Sequence, residues 1–532
     1  MKKVIVYDTT LRDGAQGEGI SFSLPAKIRV ARCLDEFGID YIEGGFAASN
    51  PKDMAFFKEM KKVKLRHAKL AAFGSTRRAH LAAAQDPGLA AIVQAGTPVA
   101  TIFGKSWLLH VEKVLKTTPE ENLAMIADSV RFLKKRGKEV IYDAEHFYDG
   151  YQDDPDYALR TLQAAADAGA DALVLCDTNG GRLTSEIARI TAAAAARFPR
   201  TRLGIHTHND AELAVANSLA AVEAGATMVQ GTINGYGERT GNANLCSIIP
   251  GLALKLGAQM ACSPRLRKLR SVSLLVDEIA DQRPAKNRPY VGESAFAHKA
   301  GMHVDAVSKT SKSFEHVDPE SVGNERRILM SELSGASNVR LKTGEMGLVF
   351  QKDSPAVKDI LRKLEHLEKH GYAFESADAS FKLLVQKVLK KHVPFFELKG
   401  FSVVVEKSDA ASKATTVATI KIAVKGKTEL TAGEGDGPVD ALNDALRKVL
   451  HRFYPAIDSV VLQDYHVRIL NPETATQATT RVLIDSSDGR ERWGTVGVSE
   501  NIIEASWEAL VDSVEYKLFL DEQRRTAKKK RA

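Results

Sequence analysis

Cysteine is scarce in this sequence: there are four in 532 residues, and no two of them form a C-x-x-C pair. Such isolated thiols argue against a disulfide scaffold or a zinc knuckle and are typical of a reducing compartment. Long apolar runs are missing as well, since none is long enough for a membrane span. The amino terminus does not resemble a signal peptide, because its apolar stretch soon meets acidic residues. We therefore expect a cytoplasmic protein without a membrane partner.

An excess of one charge sign is also lacking over most of the chain. The net charge is +7, but the carboxyl-terminal run RRTAKKKRA (524–532) alone carries six basic residues and no acid. We interpret this run as a solvated tail. The rest of the chain is close to charge balance, so we expect no binding of nucleic acid.

The first half of the sequence alternates short β-branched runs with helical stretches rich in Ala and Leu. Alternating strands and helices predict a parallel sheet with crossover helices. A doubly wound open sheet is the alternative, but no G-x-G-x-x-G motif follows the first strand. Eight such units in about 250 residues predict a closed (β/α)8 TIM barrel. The predicted strands are 4–8, 41–46, 69–73, 91–95, 139–144, 172–177, 203–208 and 228–232.

Beyond residue 280 this alternation ends. Pro, Arg and Lys at 281–303 predict an extended linker, after which helical patterns dominate. Two rounds of strands followed by a helix then predict a duplicated α+β domain. The predicted regions are the barrel (1–280), a linker with helical subdomains (281–395), the α+β domain (396–523) and the basic tail (524–532).

Polar residues follow the predicted strands at the end where TIM barrels place their active sites. An ordinary core explains one or two such residues, but not a set drawn from five separate segments. We therefore expect one polar site at the mouth of the barrel. Its predicted members are Arg12, Asp13, Asp143, Glu145, Asp177, Thr178, His206, His208, Asn234, Glu238, Arg239 and Asn242.

The pair His206 and His208 is the starting point for the chemistry of this site. Residues i and i+2 of a strand point to the same side, so both imidazoles face one way. The pair alone is a weak signal, because two histidines can also be satisfied inside a packed core. With Asp13 and Asn242 they form a nitrogen and oxygen ligand set, which suits Mg²⁺ or Mn²⁺ best, accommodates Zn²⁺ and leaves Fe²⁺ open. We predict these four residues as metal ligands.

A divalent ion beside Arg12 is suited to polarising a carbonyl group. A 2-oxo acid would chelate the ion through its ketone and carboxylate oxygens, and Arg12 would stabilise the alkoxide that forms on attack. Thr178 can donate a hydrogen bond to the substrate carboxylate. The alternative for Thr178 is a helix cap in the loop after the sixth strand.

The sequence resembles the family of 2-isopropylmalate, homocitrate and citramalate synthases in four well-separated motifs that stand in the family's order. These motifs are DTTLRDGAQ (8–16), HTHND (206–210), GYGERTGNANL (235–245) and FAHKAGMH (296–303). The resemblance covers nearly the whole chain and implies a metal-dependent condensation of acetyl-CoA with a 2-oxo acid. It also implies that the linker completes the active site and that the α+β domain, with GEGDGPVDAL (433–442), is an effector-binding regulatory domain.

Three further segments are most similar to the citramalate synthase branch, which uses pyruvate: FGSTRR (73–78), TIFGKSW (101–107) and EHFYDGY (145–151). The resemblance supports the metal and substrate roles given above and adds Gln16 at the edge of the substrate site. It also implies a catalytic carboxylate, Glu145, that helps to activate acetyl-CoA. An acid–base histidine, His303, would come from the linker of the same or the partner subunit. Which of Glu145 and His303 removes the methyl proton stays open, and His303 could also be a satisfied linker histidine.

One departure from the family pattern concerns a tyrosine. Many members have Tyr where this chain has Phe314. If that hydroxyl assists catalysis elsewhere, then either it is dispensable here or Ser311 or Ser313 takes its place.

The resemblance implies an acyltransferase that condenses acetyl-CoA with pyruvate and hydrolyses the thioester, giving citramalate and CoA for isoleucine biosynthesis. We expect a homodimer or larger homo-oligomer with isoleucine or a similar amino acid as effector. The main alternative is a 2-isopropylmalate or homocitrate synthase that takes another 2-oxo acid. Less favoured are a lyase of the hydroxymethylglutaryl-CoA lyase type, which has little use for the carboxyl-terminal domain, and an inactive binding protein, for which intact site residues would have no purpose.

Overall fold

The computed structural model describes residues 2–351, 353–407, 409–472 and 478–531, with side chains described as far as residue 526. Within these residues, eight parallel strands close into a barrel in chain order, so the predicted TIM barrel is confirmed. The strands are β1 (Ile5–Asp8), β2 (Tyr41–Phe46), β3 (Lys69–Ser75), β4 (Val99–Lys105), β5 (Glu139–Glu145), β6 (Ala172–Asp177), β7 (Arg202–Thr207) and β8 (Met228–Gly231).

Helices run between the barrel strands, and their ends carry capping residues. At the start of the first helix, the Ser23 side chain accepts a hydrogen bond from the Ala26 N–H, and Gly38 ends that helix in the left-handed region. The helices are α1 (Leu24–Phe37), α2 (Pro51–Met60), α3 (Pro87–Ala95), α4 (Pro119–Lys134), α5 (Phe147–Asp153), α6 (Pro155–Asp167), α7 (Thr184–Arg197), α8 (Ala214–Glu223), α9 (Leu245–Pro250) and α10 (Leu269–Ile279).

The predicted fourth strand is wrong. Residues 91–95 lie in α3, and β4 follows them at Val99–Lys105. The Asp86 side chain caps α3 by accepting the Leu89 N–H, and Gly96 ends the helix with φ of 71°. Because a short apolar run has no periodicity that separates strand from buried helix, the caps were the better signal.

The barrel interior has two layers built by the same alternation of side chains along each strand. The lower layer is apolar and contains residues such as Tyr7, Tyr41, Val99 and Met228. The next inward positions, toward the carboxyl ends of the same strands, are polar or charged. They include Glu43, Thr101, Asp143, His206 and Gln230, all of them buried. This alternation brings polar groups from strands far apart in sequence to the barrel mouth.

The chain divides into two compact units. The first is Met1–Phe296 with His316–Glu325, and the second is Ala297–Glu315 with Arg326–Ala532. The predicted boundaries between regions stay predictions. No helix in the described part of the chain is both long enough and apolar enough to cross a membrane.

The second unit begins with a small parallel sheet and helices, as the helical patterns predicted. Its first elements are β9 (Ala297–His298), α11 (Gly301–Lys309), β10 (Arg327–Ile328), α12 (Ala336–Glu345), α13 (Pro355–Lys369) and α14 (Asp378–Val388). They pack around a separate apolar cluster that includes Val357, Ile360 and Phe381.

Two rounds of three antiparallel strands and a helix follow, in the same order each time, as expected for an internal duplication. The first round is β11 (Glu397–Glu406), β12 (Thr415–Val424), β13 (Lys427–Gly435) and α15 (Pro438–His451), and the second is β14 (Val461–Ile469), β15 (Thr480–Ser487), β16 (Arg492–Ser499) and α16 (Ile502–Arg531). The expectation of a loose basic tail is corrected, because α16 continues to Arg531 and Arg524 pairs with Asp488 and Glu491. Position 532 and the side chains after 526 lie outside the described residues.

Candidate functional site

A cavity of about 490 Å³ opens at the carboxyl ends of the barrel strands. Most of the polar residues predicted for the mouth line it: Arg12, Asp13, Gln16, Asp143, Glu145, Thr178, His206, His208, Glu238 and Arg239. Asn234 does not join them, because its amide donates to the Ser273 carbonyl and to Asp277 on α10. Asp177 is fully buried and accepts a hydrogen bond from the Arg182 N–H.

Asp13, His206 and His208 converge at one wall of this cavity. One ligand atom from each lies within 4.8 Å of the others. The Asp13 Oδ2 atom is 3.3 Å from His206 Nε2 and 3.9 Å from His208 Nε2. Three buried donors with no side chain between them fit a divalent metal ion, for which carboxylate oxygen and imidazole nitrogen are suitable ligands.

The electrostatics of this triad favour the ligand forms of two of its side chains. Burial opposes the charge of Asp13, but Arg12 and the histidines hold the pKa of its carboxyl group well below the usual range. Burial lowers the pKa of His208 to about 4, and the neighbouring His206 adds to this effect. Burial also disfavours the charged form of His206, but Asp13 raises its pKa above the ordinary value. His208 is therefore a neutral imidazole at neutral pH, the form that binds metal.

Arg12 is held in place from two sides. Its Nε donates to Glu43 Oε1, and its guanidinium lies 3.8 Å from the centroid of the Phe73 ring. The Tyr7 hydroxyl donates to the other Glu43 oxygen at 2.7 Å. Burial opposes the charge of Arg12, but Asp13 and Glu43 raise its pKa. Sequence reasoning missed Glu43, although an acidic residue inside the apolar strand YIEGGF was a usable signal.

Gln230 is a second residue that sequence reasoning missed. Its Oε1 lies 2.8 Å from His206 Nδ1, and its Nε2 donates to Asp143 Oδ1 at 3.0 Å. Burial, reinforced by the charge of Glu43, raises the pKa of Asp143 to about 7. The signal for Gln230 was a polar residue within the buried strand β8.

Asn242 lies beside the triad with its amide nitrogen toward it. Nδ2 donates to Asp13 Oδ2 at 2.9 Å, and Oδ1 has no hydrogen-bond partner among the described residues. Oδ1 faces Gly237, where an added Cβ would lie only 1.7 Å away. A flip exchanges the oxygen and nitrogen of an amide. The predicted role of Asn242 as a fourth ligand requires that flip and stays a prediction.

Thr178 and Glu145 both line the cavity. Thr178 Oγ1 accepts the His146 N–H at 3.0 Å, which leaves its own hydrogen free to donate. The helix-cap alternative for Thr178 is wrong, because the residue before α7 is Leu183. Glu145 forms an ion pair with Lys105, a residue that sequence reasoning did not single out.

Three aromatic rings form another wall of the cavity. Phe73 and Phe103 stack with centroids 5.4 Å apart, and Phe46 meets Phe73 edge-on at 5.6 Å. Because Arg12 lies on Phe73, this apolar wall is adjacent to the charged part of the site. The space beside Arg12 is therefore limited by rigid rings rather than by flexible chains.

His303 belongs to the second unit. It is exposed on α11, and its ring stacks on Phe314 with centroids 4.1 Å apart. The Phe314 side chain is about half exposed, and the Ser313 hydroxyl donates to the Thr310 carbonyl. The acid–base role of His303 stays a prediction.

Fold and site together define a TIM-barrel protein with a candidate divalent-metal site at its mouth. Three family models match in succession: HMGL-like at residues 3–276, homocitrate synthase post-HMGL domain-like at 290–371, and LeuA allosteric (dimerisation) domain at 375–518.

Relatives match nearly the whole chain. The (R)-citramalate synthase of Aquifex aeolicus is 53% identical over 98% of this chain and 99% of its own length, and that of Geobacter sulfurreducens is 53% identical over 99% and 100%. A probable 2-isopropylmalate synthase of Methanopyrus kandleri is 31% identical over 96% and 98%. The chain belongs to the HMGL-like family, on the branch of the (R)-citramalate synthases. A solved hydroxymethylglutaryl-CoA lyase from Bacillus subtilis is 21% identical, with a TM-score of 0.47, over 54% of this chain and 97% of its own.

Proposed function

We propose that this chain condenses acetyl-CoA with pyruvate and hydrolyses the thioester, releasing (R)-citramalate and CoA. The observation that carries this proposal is the 53% identity to (R)-citramalate synthases along the barrel, the helical region and the α+β domain alike. The barrel fold by itself would not carry it, because one fold hosts many reactions.

Asp13, His206 and His208 would hold a divalent cation, with Asn242 as a fourth ligand after an amide flip. The donor set favours Mg²⁺ or Mn²⁺ and also accommodates Zn²⁺. When bound, the cation would polarise the ketone of a chelated 2-oxo acid.

Arg12 and Thr178 would orient the 2-oxo acid. The Arg12 guanidinium, fixed by Glu43 and Phe73, would stabilise negative charge on the ketone oxygen as it develops. Thr178 would donate its free hydroxyl hydrogen to the substrate carboxylate. Gln16, exposed at the edge of the cavity, would contact the same substrate.

Glu145 and His303 would handle the protons of acetyl-CoA. A thioester α-proton is weakly acidic, so its base must be held close to the methyl group. Glu145 lines the cavity and is held by Lys105. His303 would be delivered by the linker, from the same chain or from the partner subunit.

We also propose that the protein is a homodimer or larger homo-oligomer regulated by isoleucine or a similar amino acid, within isoleucine biosynthesis. The match of residues 375–518 to a LeuA allosteric (dimerisation) domain supports both parts of this proposal. A cytoplasmic location is proposed because the four cysteines, all of them in described residues, form no disulfide.

The aromatic wall favours a small 2-oxo acid. Phe73 and Phe103 fill space that a branched or longer substrate would need, and the cost of one extra methylene in such a pocket is about 1–3 kcal/mol. Pyruvate, whose side chain is a single methyl group, therefore fits this wall better than 2-oxoisovalerate does.

Initial rates of CoA release test the proposal. The purified full-length protein is assayed with acetyl-CoA and pyruvate, 2-oxoisovalerate or 2-oxoglutarate, using a thiol reagent. We expect kcat/KM for pyruvate to exceed the other two by at least about tenfold. A higher value for 2-oxoisovalerate would assign a 2-isopropylmalate synthase, and a higher value for 2-oxoglutarate a homocitrate synthase.

A further inference from the structure

We propose that Gln230 is a positioning residue for the metal centre, which fixes His206 in the tautomer that presents the Nε2 lone pair to the cation. Asp143 in turn fixes the orientation of the Gln230 amide. This inference rests on the proposed function, because it deepens the metal-binding role given there to His206.

The orientation of the Gln230 amide follows from its contact with Asp143. Gln230 is fully buried, and one end of its amide lies 3.0 Å from Asp143 Oδ1. An ionised carboxylate can only accept hydrogen bonds, so the amide must turn its NH2 group toward it. The carbonyl oxygen of Gln230 then faces His206 Nδ1 at 2.8 Å.

The tautomer of His206 follows from that carbonyl. A carbonyl oxygen has no hydrogen to give, so His206 Nδ1 must carry the hydrogen in this contact. In a neutral imidazole the other nitrogen, Nε2, then keeps its lone pair. Nε2 is also the atom that lies 3.3 Å from Asp13 Oδ2. The relay from Asp143 through Gln230 therefore presents the correct nitrogen of His206 to the triad.

The second histidine of the triad lacks such support. Among the described residues, no hydrogen-bond partner lies at His208 Nδ1. Partners on the second ring nitrogen set the orientation and basicity of a ligating histidine, and their loss typically lowers metal affinity about 10–100-fold. We therefore infer that metal affinity depends strongly on Gln230.

Two substitutions at Gln230 separate this role from simple packing. Gln230→Met keeps the length of the side chain but offers only a weak acceptor, whereas Gln230→Glu keeps an oxygen toward His206. Mn²⁺ is titrated into chelator-stripped full-length protein by calorimetry. We expect the Kd for Mn²⁺ to rise about 10–100-fold in Gln230→Met and only a few-fold in Gln230→Glu.

Thr161→Val is the matched control for the loss of a buried hydrogen bond. Thr161 is fully buried on α6, where its hydroxyl contacts Ser106 and the Ala158 carbonyl. The control should bind Mn²⁺ as the unaltered protein does. Unchanged affinity in Gln230→Met, or equal losses in Gln230→Met and Gln230→Glu, would overturn the inference.

A spectroscopic measurement keeps the inference testable if Gln230→Met does not fold. The metal-free protein, with ¹⁵N-labelled histidine and above the pKa of His206, should show the ring proton of His206 on Nδ1. The signal is assigned by its absence in His206→Gln. A proton on Nε2 instead would contradict the proposed relay.

Asp13→Asn separates failure of this inference from failure of the proposed function. Wild-type Mn²⁺ affinity in Asp13→Asn would show that the triad is not the metal site. Loss of Mn²⁺ in Asp13→Asn together with retention in Gln230→Met would leave the metal site intact and remove only the role of Gln230.

Discussion

Two clusters of buried charged side chains meet the cost of burial in opposite ways. The cluster in the second unit surrounds Asp488, whose acceptor sites are well occupied. Lys517 and Arg524 donate to its Oδ2 at 2.9 and 3.1 Å, and the N–H groups of Arg490 and Glu491 donate to its Oδ1 at 3.0 and 2.9 Å. Although burial opposes its charge, Lys517 and these N–H donors hold the pKa of Asp488 well below the usual range.

The cluster at the barrel mouth is open by comparison. Asn242, His206 and Arg12 crowd a single oxygen of Asp13, at 2.9, 3.3 and 3.4 Å. His208 Nδ1 and Asn242 Oδ1 have no hydrogen-bond partner in the described part of the chain. Buried polar groups are normally paired, so exceptions of this kind need an explanation.

The difference separates a structural cluster from a functional one. A buried carboxylate whose acceptors are occupied by its own chain contributes to folding and has little left for a ligand. A buried carboxylate that shares one oxygen among several donors, beside a cavity, has capacity for a ligand that completes the set. Four predictions use this contrast, in decreasing order of expected effect.

The largest effect is expected for Asp13→Asn. The substitution removes the only carboxylate of the triad, so turnover of acetyl-CoA with pyruvate should fall to background. The free energy of unfolding of the metal-free protein, measured in urea, should change little. The matched variant Asp488→Asn should keep turnover, and full activity in Asp13→Asn would contradict the assignment of the metal site.

Arg12→Lys is expected to lower kcat about 10²–10³-fold, the range found when a donor to a developing oxyanion is removed. Lysine cannot contact Glu43 and stack on Phe73 with the planar geometry of a guanidinium. Steady-state kinetics of CoA release provide the measurement. Arg524→Lys is the matched control in the paired cluster and should leave kcat unchanged; a similar loss in both variants would refute a special role for Arg12.

Asp488→Asn reverses the contrast, because its effect should appear in stability alone. Lys517 would lose a charged partner in a buried position, at a cost of about 1–3 kcal/mol in the free energy of unfolding. Urea unfolding monitored by circular dichroism measures this change. If Asp488→Asn instead weakened Mn²⁺ binding, the two clusters would not be independent.

The smallest effect concerns Glu515, a buried carboxyl group that accepts the Phe395 N–H at 3.0 Å. Burial raises its pKa from 4.5 to about 7. The folded chain therefore holds a proton that the unfolded chain releases, so stability falls as pH rises from about 4.5 to 7. Glu515→Gln removes this loss, and its gain in thermal midpoint over the unaltered protein should be larger at pH 8 than at pH 5.

Glu522→Gln, an exposed position on the same helix, provides the control for that pH series. Its thermal midpoint should follow that of the unaltered protein at every pH. A gain for Glu515→Gln that does not depend on pH would contradict the raised pKa of Glu515.

Much of the fold could be predicted because local signals agreed with each other. Alternating strands and helices predict the barrel, and HTHND places two imidazoles on one side of β7. The fourth strand was misplaced because 91–95 and 99–105 are both short apolar segments, and only the caps at Asp86 and Gly96 distinguish them. Helix α16 extends past the expected domain end because Arg524 has partners that no local pattern reveals.

Within the site, residues carried by motifs could be predicted and the residues that support them could not. Asp13 and His206 stand in recognisable motifs, whereas Glu43 and Gln230 are single polar residues within apolar strands. Their roles depend on which strands become neighbours across the barrel interior, and this is a property of the closed fold. The orientation of the Asn242 amide likewise depends on Gly237 and Asp13 together.

The central claim is that the barrel mouth binds a divalent cation needed to join acetyl-CoA and pyruvate. It is tested most directly by measuring CoA release from these two substrates with chelator-stripped protein, before and after Mn²⁺ or Mg²⁺ is returned. The account predicts background turnover without metal and restored turnover with it. Full turnover by the stripped protein, or none after metal is returned, would contradict it.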